Sequence, residues 1–560
     1  MRSSAVVFAF CLCFPLFSLA QTPGDLDLIR ERQERLLEEQ QRRLEELRNL
    51  PGETPDLEPA PDGDELRCFD IQRIRLEGAT LINPARQQEL LAPFIGRCLG
   101  TSQLNDVLKA VTAFYLDRGY VTTRAYLPQQ DLSDGELNVL VVEGRLEGLD
   151  SSALASDREL AMGFPGRPGE LLNLREVEQL VDQLARLPSR QVQLELLPGE
   201  EVGGSRVQLK GERSKPWHVS LGRHNDGQRS TGEQQWDASL VWDSPLGLAD
   251  QLRVQGGKDA VSDYWRHSAS QSLFYNVPYG WWTFDYSYSQ SYYRTLNQAS
   301  GFSFVADGES KRHQLSVERV MHRDSVGKSA LRAGLAHLRT RNYIESSLLE
   351  GSSNRLSELQ LGANHGRRIG NAFVNLDLGW QRGIGAFDAQ RAGSPRGSDP
   401  VARYNKYSLT GSYLQPFSWL GESFSIDSLV NGQRSEDVLF GPQRISLGGL
   451  ASVRGFKEQS LSGDSGVYWR SNLRWRRAVT APAVSPWLQE YGVAIGYDLG
   501  VISATSYNAG QRGRLSGNAL EFSARGKHLA ASVTLARSLS RPDAIGRDEH
   551  PIYFRLSLFF

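Results

Sequence analysis

Long apolar runs are nearly missing from this chain of 560 residues. Beyond the first twenty residues, no stretch approaches the roughly 18 consecutive apolar residues that a membrane-spanning helix requires. If such a chain crosses a membrane, it must do so as a closed β-barrel, in which every backbone polar group finds a partner within the protein. The mean hydropathy of -0.41 fits strands that alternate lipid-facing and water-facing side chains.

Clustered positive charge and nucleotide-binding motifs are also lacking. The formal net charge is -2, whereas a nucleic-acid partner calls for clustered Lys and Arg. No Gly-x-x-x-x-Gly-Lys-Ser/Thr sequence occurs, so nucleotide chemistry is not indicated. We therefore expect no nucleic-acid partner, no metal and no cofactor.

Cysteine is scarce, with four residues in the chain. Cys11 and Cys13 fall within residues 1–20, where a basic residue, an apolar run and small residues before Gln21 predict a secretory signal peptide. A membrane-anchoring helix is the alternative, but the run is short and a polar segment follows it. The mature chain then keeps Cys68 and Cys98.

Cys68 and Cys98 predict a disulfide, because an exported chain meets an oxidising compartment. Closing a loop of this size stabilises a domain by roughly 3 kcal/mol. A metal pair or two free thiols are the alternatives, although two ligands alone do not make a zinc site.

Residues 25–48 contain neither Gly nor Pro and consist mainly of strong helix formers, which predicts one charged helix within a segment at 21–50. Only a thin apolar stripe interrupts its Glu and Arg, so the helix suits water or a polar channel better than a dry core. A short coiled-coil seam is the alternative. The Pro-rich, acidic residues that follow predict an extended linker at 51–66.

Two copies of one small α+β module are predicted next, module 1 at 67–147 and module 2 at 148–213. Each has the order strand, helix, helix, strand, strand. In module 1, Asn83-Pro84 opens a helix that continues to about Phe94, and Thr101 or Ser102 caps the next helix. In module 2, Asn173 caps a helix.

From 214 to 560, helical patterning gives way to strict alternation of apolar and polar residues. We count about sixteen such segments, an even number that returns the chain to its starting side, as single-chain outer-membrane barrels require. Sixteen strands leave an aqueous lumen. A soluble array of β-sandwiches is the alternative, but it needs a second apolar layer. The segments lie near residues 216, 234, 251, 270, 281, 311, 329, 355, 372, 404, 422, 467, 489, 518, 528 and 551.

The longest break in this strand pattern, at 431–466, is a Gly-rich loop around Val453-Arg454-Gly455-Phe456. Long loops of this kind are functional candidates. Further along, Asp498 stands among glycines in a strand. These two pieces together resemble the two-partner secretion transporters, the TpsB family, and the resemblance covers nearly the whole chain.

The resemblance implies a fold of an N-terminal plug helix, two POTRA modules and a 16-stranded antiparallel transmembrane β-barrel. It also implies a function: secretion of a large, unfolded partner exoprotein (an adhesin, a haemolysin or a contact-dependent inhibition toxin) across the outer membrane without nucleotide hydrolysis. By the same resemblance, the POTRA modules are expected to capture cargo in the periplasm, and helix 25–48 is expected to plug the resting barrel. In the family the loop folds into the lumen, where its Arg pairs with the strand Asp, here Arg454 and Asp498 by motif match. Phe456 stands where Tyr is also usual.

A water-filled lumen screens an ion pair, so we expect the Arg454–Asp498 contact to select a conformation and to add little stability. As an alternative, Arg454 caps a turn and Asp498 lines the pore. The C-terminal Phe560 resembles the signal that barrel assembly machinery reads, and contact with outer-membrane lipid is its ordinary role. We expect a monomer.

The chain is not expected to be an enzyme. Gly463-Asp464-Ser465-Gly466 resembles the nucleophile stretch of chymotrypsin-like proteases, but no His-containing segment resembles its partner. Two other functions remain open. A BamA-like insertase shares the barrel and the loop motif but normally carries more POTRA modules and no plug helix, and a passive porin explains neither the modules nor the helix.

Overall fold

The computed structural model describes residues 22–50, 68–151, 154–261, 263–299, 301–390, 399–505, 508 and 510–560. The predicted signal peptide and linker, at 1–20 and 51–66, fall outside these residues. Within the described ranges, no helix has both the length and the apolarity to cross a membrane.

Helix α1 (Pro23–Arg48) opens the described chain. The Thr22 hydroxyl accepts a hydrogen bond from the Asp25 N–H, and the Asp25 carboxylate accepts one from the Thr22 N–H, which caps the first turn. A helix of 26 residues is ~39 Å long, which exceeds the apolar band of ~25 Å on outer-membrane barrels. The helix is therefore long enough to run from one mouth of such a barrel to the other.

Module 1 forms a three-stranded sheet with two helices on it and a small two-stranded sheet beside it. Its elements are β1 (Phe69–Ile71), β2 (Arg73–Glu77), α2 (Pro84–Leu91), β3 (Arg97–Leu99), α3 (Thr101–Leu116), β4 (Arg124–Tyr126) and β5 (Glu136–Val142). The sheet order is β2-β5-β4 with β2 parallel to β5, while β1 pairs with β3. The Cys68–Cys98 disulfide lies beside that β1–β3 pair, with the two Cα atoms 5.3 Å apart.

Two helix ends in module 1 differ from the sequence prediction. Helix α2 ends at Leu91, before Phe94. Helix α3 begins at Thr101, so its N-cap is Gly100, and neither Thr101 nor Ser102 caps it. The Gly100 N–H donates instead to the side chain of Gln103, which satisfies the free donor of the cap.

Module 2 repeats the same plan without the small sheet, and it begins with a strand at Arg145, three residues before the predicted boundary at 148. Its elements are β6 (Arg145–Asp150), α4 (Asp157–Gly163), α5 (Leu174–Ala185), β7 (Arg190–Pro198) and β8 (Gly204–Arg213). The sheet order is β6-β8-β7, with β6 parallel to β8. As predicted, Asn173 caps α5 by accepting a hydrogen bond from the Arg175 N–H.

The remaining chain closes into an antiparallel barrel of sixteen strands, which confirms the predicted fold class. Each predicted segment lies within a strand or one residue before it. The strands are β9 (Trp217–His224), β10 (Gln235–Asp243), β11 (Gln251–Asp259), β12 (His267–Tyr279), β13 (Trp282–Ala299), β14 (Phe302–Arg323), β15 (Gly327–Ile344), β17 (Arg355–Ile369), β18 (Ala372–Ile384), β19 (Asn405–Trp419), β20 (Glu422–Arg434), β23 (Gly466–Ala478), β24 (Glu490–Ile502), β25 (Gly513–Arg525), β26 (Leu529–Ser540) and β27 (Ile552–Phe559). The two-residue strand β16 (Ser347–Leu348) extends the rim at β15.

The inserted loop begins after β20, at residue 435 and not at 431. It contains a short 3₁₀ helix (Gly441–Gln443) and two paired strands, β21 (Ile445–Leu447) and β22 (Leu461–Gly463). All three residues of each short strand are buried. The loop therefore folds into the barrel and forms its own small core there.

Helix α1 lies in the lumen of the barrel, because it contacts β13, β14, β17, β18 and β19 and also the inserted loop. Its first turn approaches Tyr293, and its last turn approaches Gly366. Module 2 contacts the barrel at turns on the Gly366 side, such as Gly280. The N-terminus of α1 therefore points to the outer mouth, opposite the modules, and its C-terminus to the module side.

Candidate transport channel and its inward loop

The structure brings Arg454 of the inserted loop onto Asp498 of strand β24. The guanidinium donates two parallel hydrogen bonds to the Asp498 carboxylate, Nε to Oδ2 at 2.8 Å and Nη2 to Oδ1 at 2.6 Å. The Arg454 backbone N–H also donates to Oδ2 at 2.9 Å. The third guanidinium nitrogen donates to Asn472 on β23 at 2.7 Å. This planar, forked contact fixes the orientation of the loop as well as its position.

Water does not screen this pair, so the expectation from the sequence was wrong on that point. The side chain of Arg454 is 2 % exposed and that of Asp498 is 0 % exposed. The loop and α1 fill the space that was expected to hold water. In such a setting, removing one partner leaves an uncompensated buried charge, which costs about 3–5 kcal/mol.

Glycines in the wall make room for the loop. A Cβ atom on Gly496 would lie 2.2 Å from Nη2 of Arg454, and one on Gly500 would lie 2.8 Å from Leu447. On the loop itself, a Cβ on Gly455 would lie 2.6 Å from the carbonyl oxygen of Arg537 in β26. The glycines around Asp498 and Arg454 thus permit close approach of two backbones.

Val453 and Phe456, the neighbours of the Arg454-Gly455 pair, are fully buried. They belong to an apolar cluster formed by the loop and the adjacent wall, against which Leu37 of α1 also packs. The other members are Leu429, Ile445, Leu447, Leu461, Tyr468, Ile502, Leu515 and Ile545. Packing of this cluster adds to the ion pair in holding the loop inward.

Charged side chains hold the middle of α1 to the wall. Arg43 donates to Glu318 of β14 at 2.8 Å, and Arg332 of β15 donates to Glu39 at 2.6 Å and to Glu318 at 3.0 Å. Gln40 is 3 % exposed and donates to Asp377 of β18 at 2.6 Å. The middle of the helix therefore meets the wall through polar groups, as the composition of the helix predicts, while Leu44 and Leu47 of its last turns pack on Phe373 of β18.

The same helix also contacts the inserted loop. Arg32 donates to the carbonyl oxygens of Pro442 and Arg444, at 3.0 and 2.6 Å. Gln33 donates to the carbonyl oxygen of Ser446 at 2.8 Å. Helix and loop therefore support each other inside the barrel.

Module 2 docks on the barrel through residues that the sequence analysis did not single out. Arg323, at the end of β14, donates to Glu178 of α5 at 3.0 Å and pairs with Asp182. Lys328 of β15 lies 3.4 Å from Asp182 and 3.4 Å from Glu46 of α1, so one cation contacts module, barrel and helix. Isolated charges spaced far apart along the chain give no sequence signal for such a junction.

Two carboxyl groups of module 2 have lowered pKa values at this junction. Burial alone would raise the pKa of Asp182, but the charges of Arg323 and Lys328 hold it below its ordinary value. Burial opposes ionisation of Glu159 too, and hydrogen bonds from Ser244 and the Ser156 backbone lower its pKa. Both groups thus stay ionised while module 2 is docked.

The other residues singled out from the sequence occupy separate places. Phe560 is 53 % exposed on the outer face, and its backbone pairs with Val219 of β9 where the barrel closes. In the protease-like stretch, Asp464 accepts a hydrogen bond from the Leu439 N–H at 2.9 Å, and the Ser465 hydroxyl donates to the Ser435 carbonyl oxygen at 2.9 Å. Both side chains fasten the base of the loop.

A closed sixteen-stranded barrel with an apolar outer face, a filled polar lumen and two small α+β modules at one mouth defines an outer-membrane β-barrel with POTRA modules. The family described as haemolysin secretion/activation protein ShlB/FhaC/HecB matches residues 203–524. The ShlB-type POTRA domain matches residues 69–144, and a further POTRA domain matches residues 145–198.

Relatives of known name agree with this match. The outer membrane transporter CdiB of Escherichia coli O6:K15:H31 is 34 % identical over 98 % of this chain and 93 % of its own length. The hemolysin transporter protein HpmB of Proteus mirabilis is 28 % identical over 92 % of this chain and 91 % of its own length. The solved structure of CdiB from Escherichia coli superposes with a TM-score of 0.91 at 33 % identity, covering 97 % of this chain and 100 % of that one.

The chain therefore belongs to the ShlB/FhaC/HecB family, the TpsB transporters of two-partner secretion. It is an outer-membrane transporter whose POTRA modules lie in the periplasm.

Proposed function

We propose that this transporter secretes one large, unfolded exoprotein through its barrel lumen, and that α1 and the inserted loop hold the lumen closed until cargo arrives. The names of its relatives, an outer membrane transporter CdiB and a hemolysin transporter, support a contact-dependent inhibition toxin or a haemolysin as cargo. An adhesin is the third cargo class. Residues 1–20 would direct export of the transporter itself, and the Pro-rich residues 51–66 would link α1 to module 1.

One observation carries the proposal: a polar helix lies inside the lumen of the barrel and contacts both the wall and the inserted loop. Buried Gln33, Gln40 and Arg43 make polar contacts with the loop and the wall. Incoming polypeptide offers the same hydrogen-bonding groups to that wall, so the helix can be exchanged for cargo at low net cost. With no nucleotide motif in the chain, folding of the cargo outside would prevent its return.

Free sheet edges support the proposed role of the modules in capture. In module 1, β2 and β4 are the edge strands of the three-stranded sheet. In module 2, β7 is such an edge strand, whereas the outer edge of β6 pairs with residues 169–171. Exposed edges of this kind bind extended polypeptide by strand addition. We propose that an extended targeting segment of the cargo adds to one of these edges.

Replacing Arg454 with Ala tests the gating role of the loop. We expect Arg454→Ala to abolish secretion while the barrel still inserts. Without the guanidinium, Asp498 has lost its partner and the loop is no longer bound to strand β24. Arg434→Ala is the matched control, since the Arg434 side chain is 77 % exposed and forms a surface ion pair with Glu436. Cargo in the medium measures secretion, and heat-modifiable migration in gels measures barrel folding. Normal secretion by Arg454→Ala would remove the Arg454–Asp498 pair from the mechanism.

The alternative function is a BamA-like insertase for other outer-membrane proteins. Depleting this transporter would then lower the amounts of many outer-membrane proteins, whereas a dedicated exporter would affect one secreted cargo. We also propose that the transporter is a monomer and that barrel assembly machinery recognises it through the strand that ends at Phe560.

A further inference from the structure

A single buried carboxylate outside the Arg454–Asp498 pair organises the tip of the inserted loop. Glu549, just before β27, is 7 % exposed. Its Oε2 atom accepts hydrogen bonds from the backbone N–H groups of Lys457 and Glu458, at 2.7 and 3.0 Å. Its Oε1 atom accepts from the backbone N–H and the side-chain amide of Gln459, at 3.0 and 3.1 Å. Three consecutive backbone donors thus converge on one side chain.

Such an arrangement is directional and strong. Hydrogen bonds from backbone N–H groups to an ionised carboxylate are charge-assisted, and they are stronger than those between neutral groups. A loop segment that points three successive N–H groups to one side forms a concavity suited to an anion. Glu549 itself is held in place, because its backbone exchanges hydrogen bonds with Ser538 of β26.

The position of Glu549 links it to Arg454. Lys457 follows Arg454 by three residues, and the Tyr553 hydroxyl, on the strand after Glu549, donates to the Arg454 carbonyl oxygen at 3.0 Å. The Arg454 side chain contacts β24. Its carbonyl oxygen accepts from Tyr553 of β27, and residues 457–459 donate to Glu549, just before β27. The loop is therefore fixed at two positions on the barrel wall, one on β24 and one at β27 and the residues just before it.

We infer that Glu549 is a second positioning residue of the inserted loop, which holds residues 457–459 and through them keeps Arg454 seated on Asp498. The inference deepens the proposed function and rests on it for its meaning in secretion, but the loop contact itself can be tested without cargo. A substitution of Glu549 should loosen the loop and leave the rest of the barrel unchanged.

Cysteine labelling of the folded, full-length transporter in proteoliposomes measures this loosening. Ala451→Cys places a thiol on the buried loop, and Ala330→Cys places one on the buried face of β15, away from the loop. Cys68 and Cys98 add no background, since they form a disulfide. We expect Glu549→Ala to raise the rate at which a membrane-impermeant maleimide labels Ala451→Cys by about tenfold, which corresponds to ~1.4 kcal/mol.

Asp548→Asn is the matched control, because the side chain of Asp548 is 65 % exposed and pairs with Arg541. Labelling at Ala330→Cys should stay unchanged in the Glu549→Ala background. Equal labelling of the loop in the Glu549→Ala and Asp548→Asn backgrounds would overturn the inference, as would a parallel rise at Ala330→Cys, which indicates general loosening of the barrel. Cargo secretion by Arg454→Ala is measured separately. Normal secretion by that variant would contradict the proposed function, and it would leave the labelling result for Glu549→Ala unaffected.

Discussion

At the scale of single residues, burial decides how the loop is held. Asp498 receives three hydrogen bonds from Arg454 in a site that excludes water, and Asn472 takes the remaining guanidinium nitrogen. The sequence suggested both partners of this pair through glycine spacing and family resemblance. It gave no sign of Asn472 or Glu549, because a lone amide or carboxylate far along the chain has no pattern.

Gly496 should be intolerant of even a methyl group. We expect Gly496→Ala to push the Arg454 guanidinium off Asp498, since the new Cβ would lie 2.2 Å from Nη2. Overpacking of this kind costs about 1–3 kcal/mol. Gly411→Ala is the control, because its nearest neighbour would be 4.0 Å away. The midpoint of thermal unfolding in detergent is measured for both variants. Equal midpoints would show that the structure around residue 496 accommodates a methyl group.

At the scale of elements, patterning predicted nearly every strand and helix, because alternation and helical composition are local signals. The predicted N-cap of α3 was wrong, because the actual cap, Gly100, is followed by two residues, Thr101 and Ser102, that both favour the N-cap position. The location of α1 inside the barrel could come only from the family resemblance. Its side chains match acceptors on strands hundreds of residues away, such as Glu318 and Asp377.

Reversing the charge of Arg43 should expel α1. Arg43→Glu would face Glu39, Glu318 and Asp377, all of which now lie within 4 Å of Arg43. Repulsion among these carboxylates favours the helix outside the lumen, so we expect a higher single-channel conductance in planar lipid bilayers. Arg35→Glu is the control, as the Arg35 side chain is 40 % exposed and its ion partner is on the same helix. Equal conductance of the two variants would show that these charges do not retain α1.

At the scale of the whole molecule, three bodies meet at one junction: module 2, the barrel and α1. Lys328 contacts both Asp182 of module 2 and Glu46 of α1. Movement of module 2 therefore changes the electrostatic environment of the helix end directly. In the proposed function, capture of cargo at the modules and release of α1 would therefore be coupled through this contact.

Docking of module 2 should withstand mild acid. The pKa values of Asp182 and Glu159 are lowered in the docked state, so their contribution is complete above the ordinary carboxyl range and is lost only as pH falls through the lowered values. We expect the distance between spin labels on module 2 and the barrel to be equal at about pH 7 and about pH 5, and to lengthen only below about pH 4. Undocking already between the first two conditions would show that other groups control the junction.

The orientation of α1 limits what can pass through the barrel. Because the C-terminus of α1 lies on the module side and is joined by the chain to module 1, the proposed function requires the helix to withdraw into the periplasm, opposite to the direction of export. If the inserted loop stays seated, the vacated bore is the width of one helix with its side chains, about 10–12 Å. A single extended strand fits such a bore, whereas a folded hairpin or a packed domain does not. Export would then proceed residue after residue, in one file.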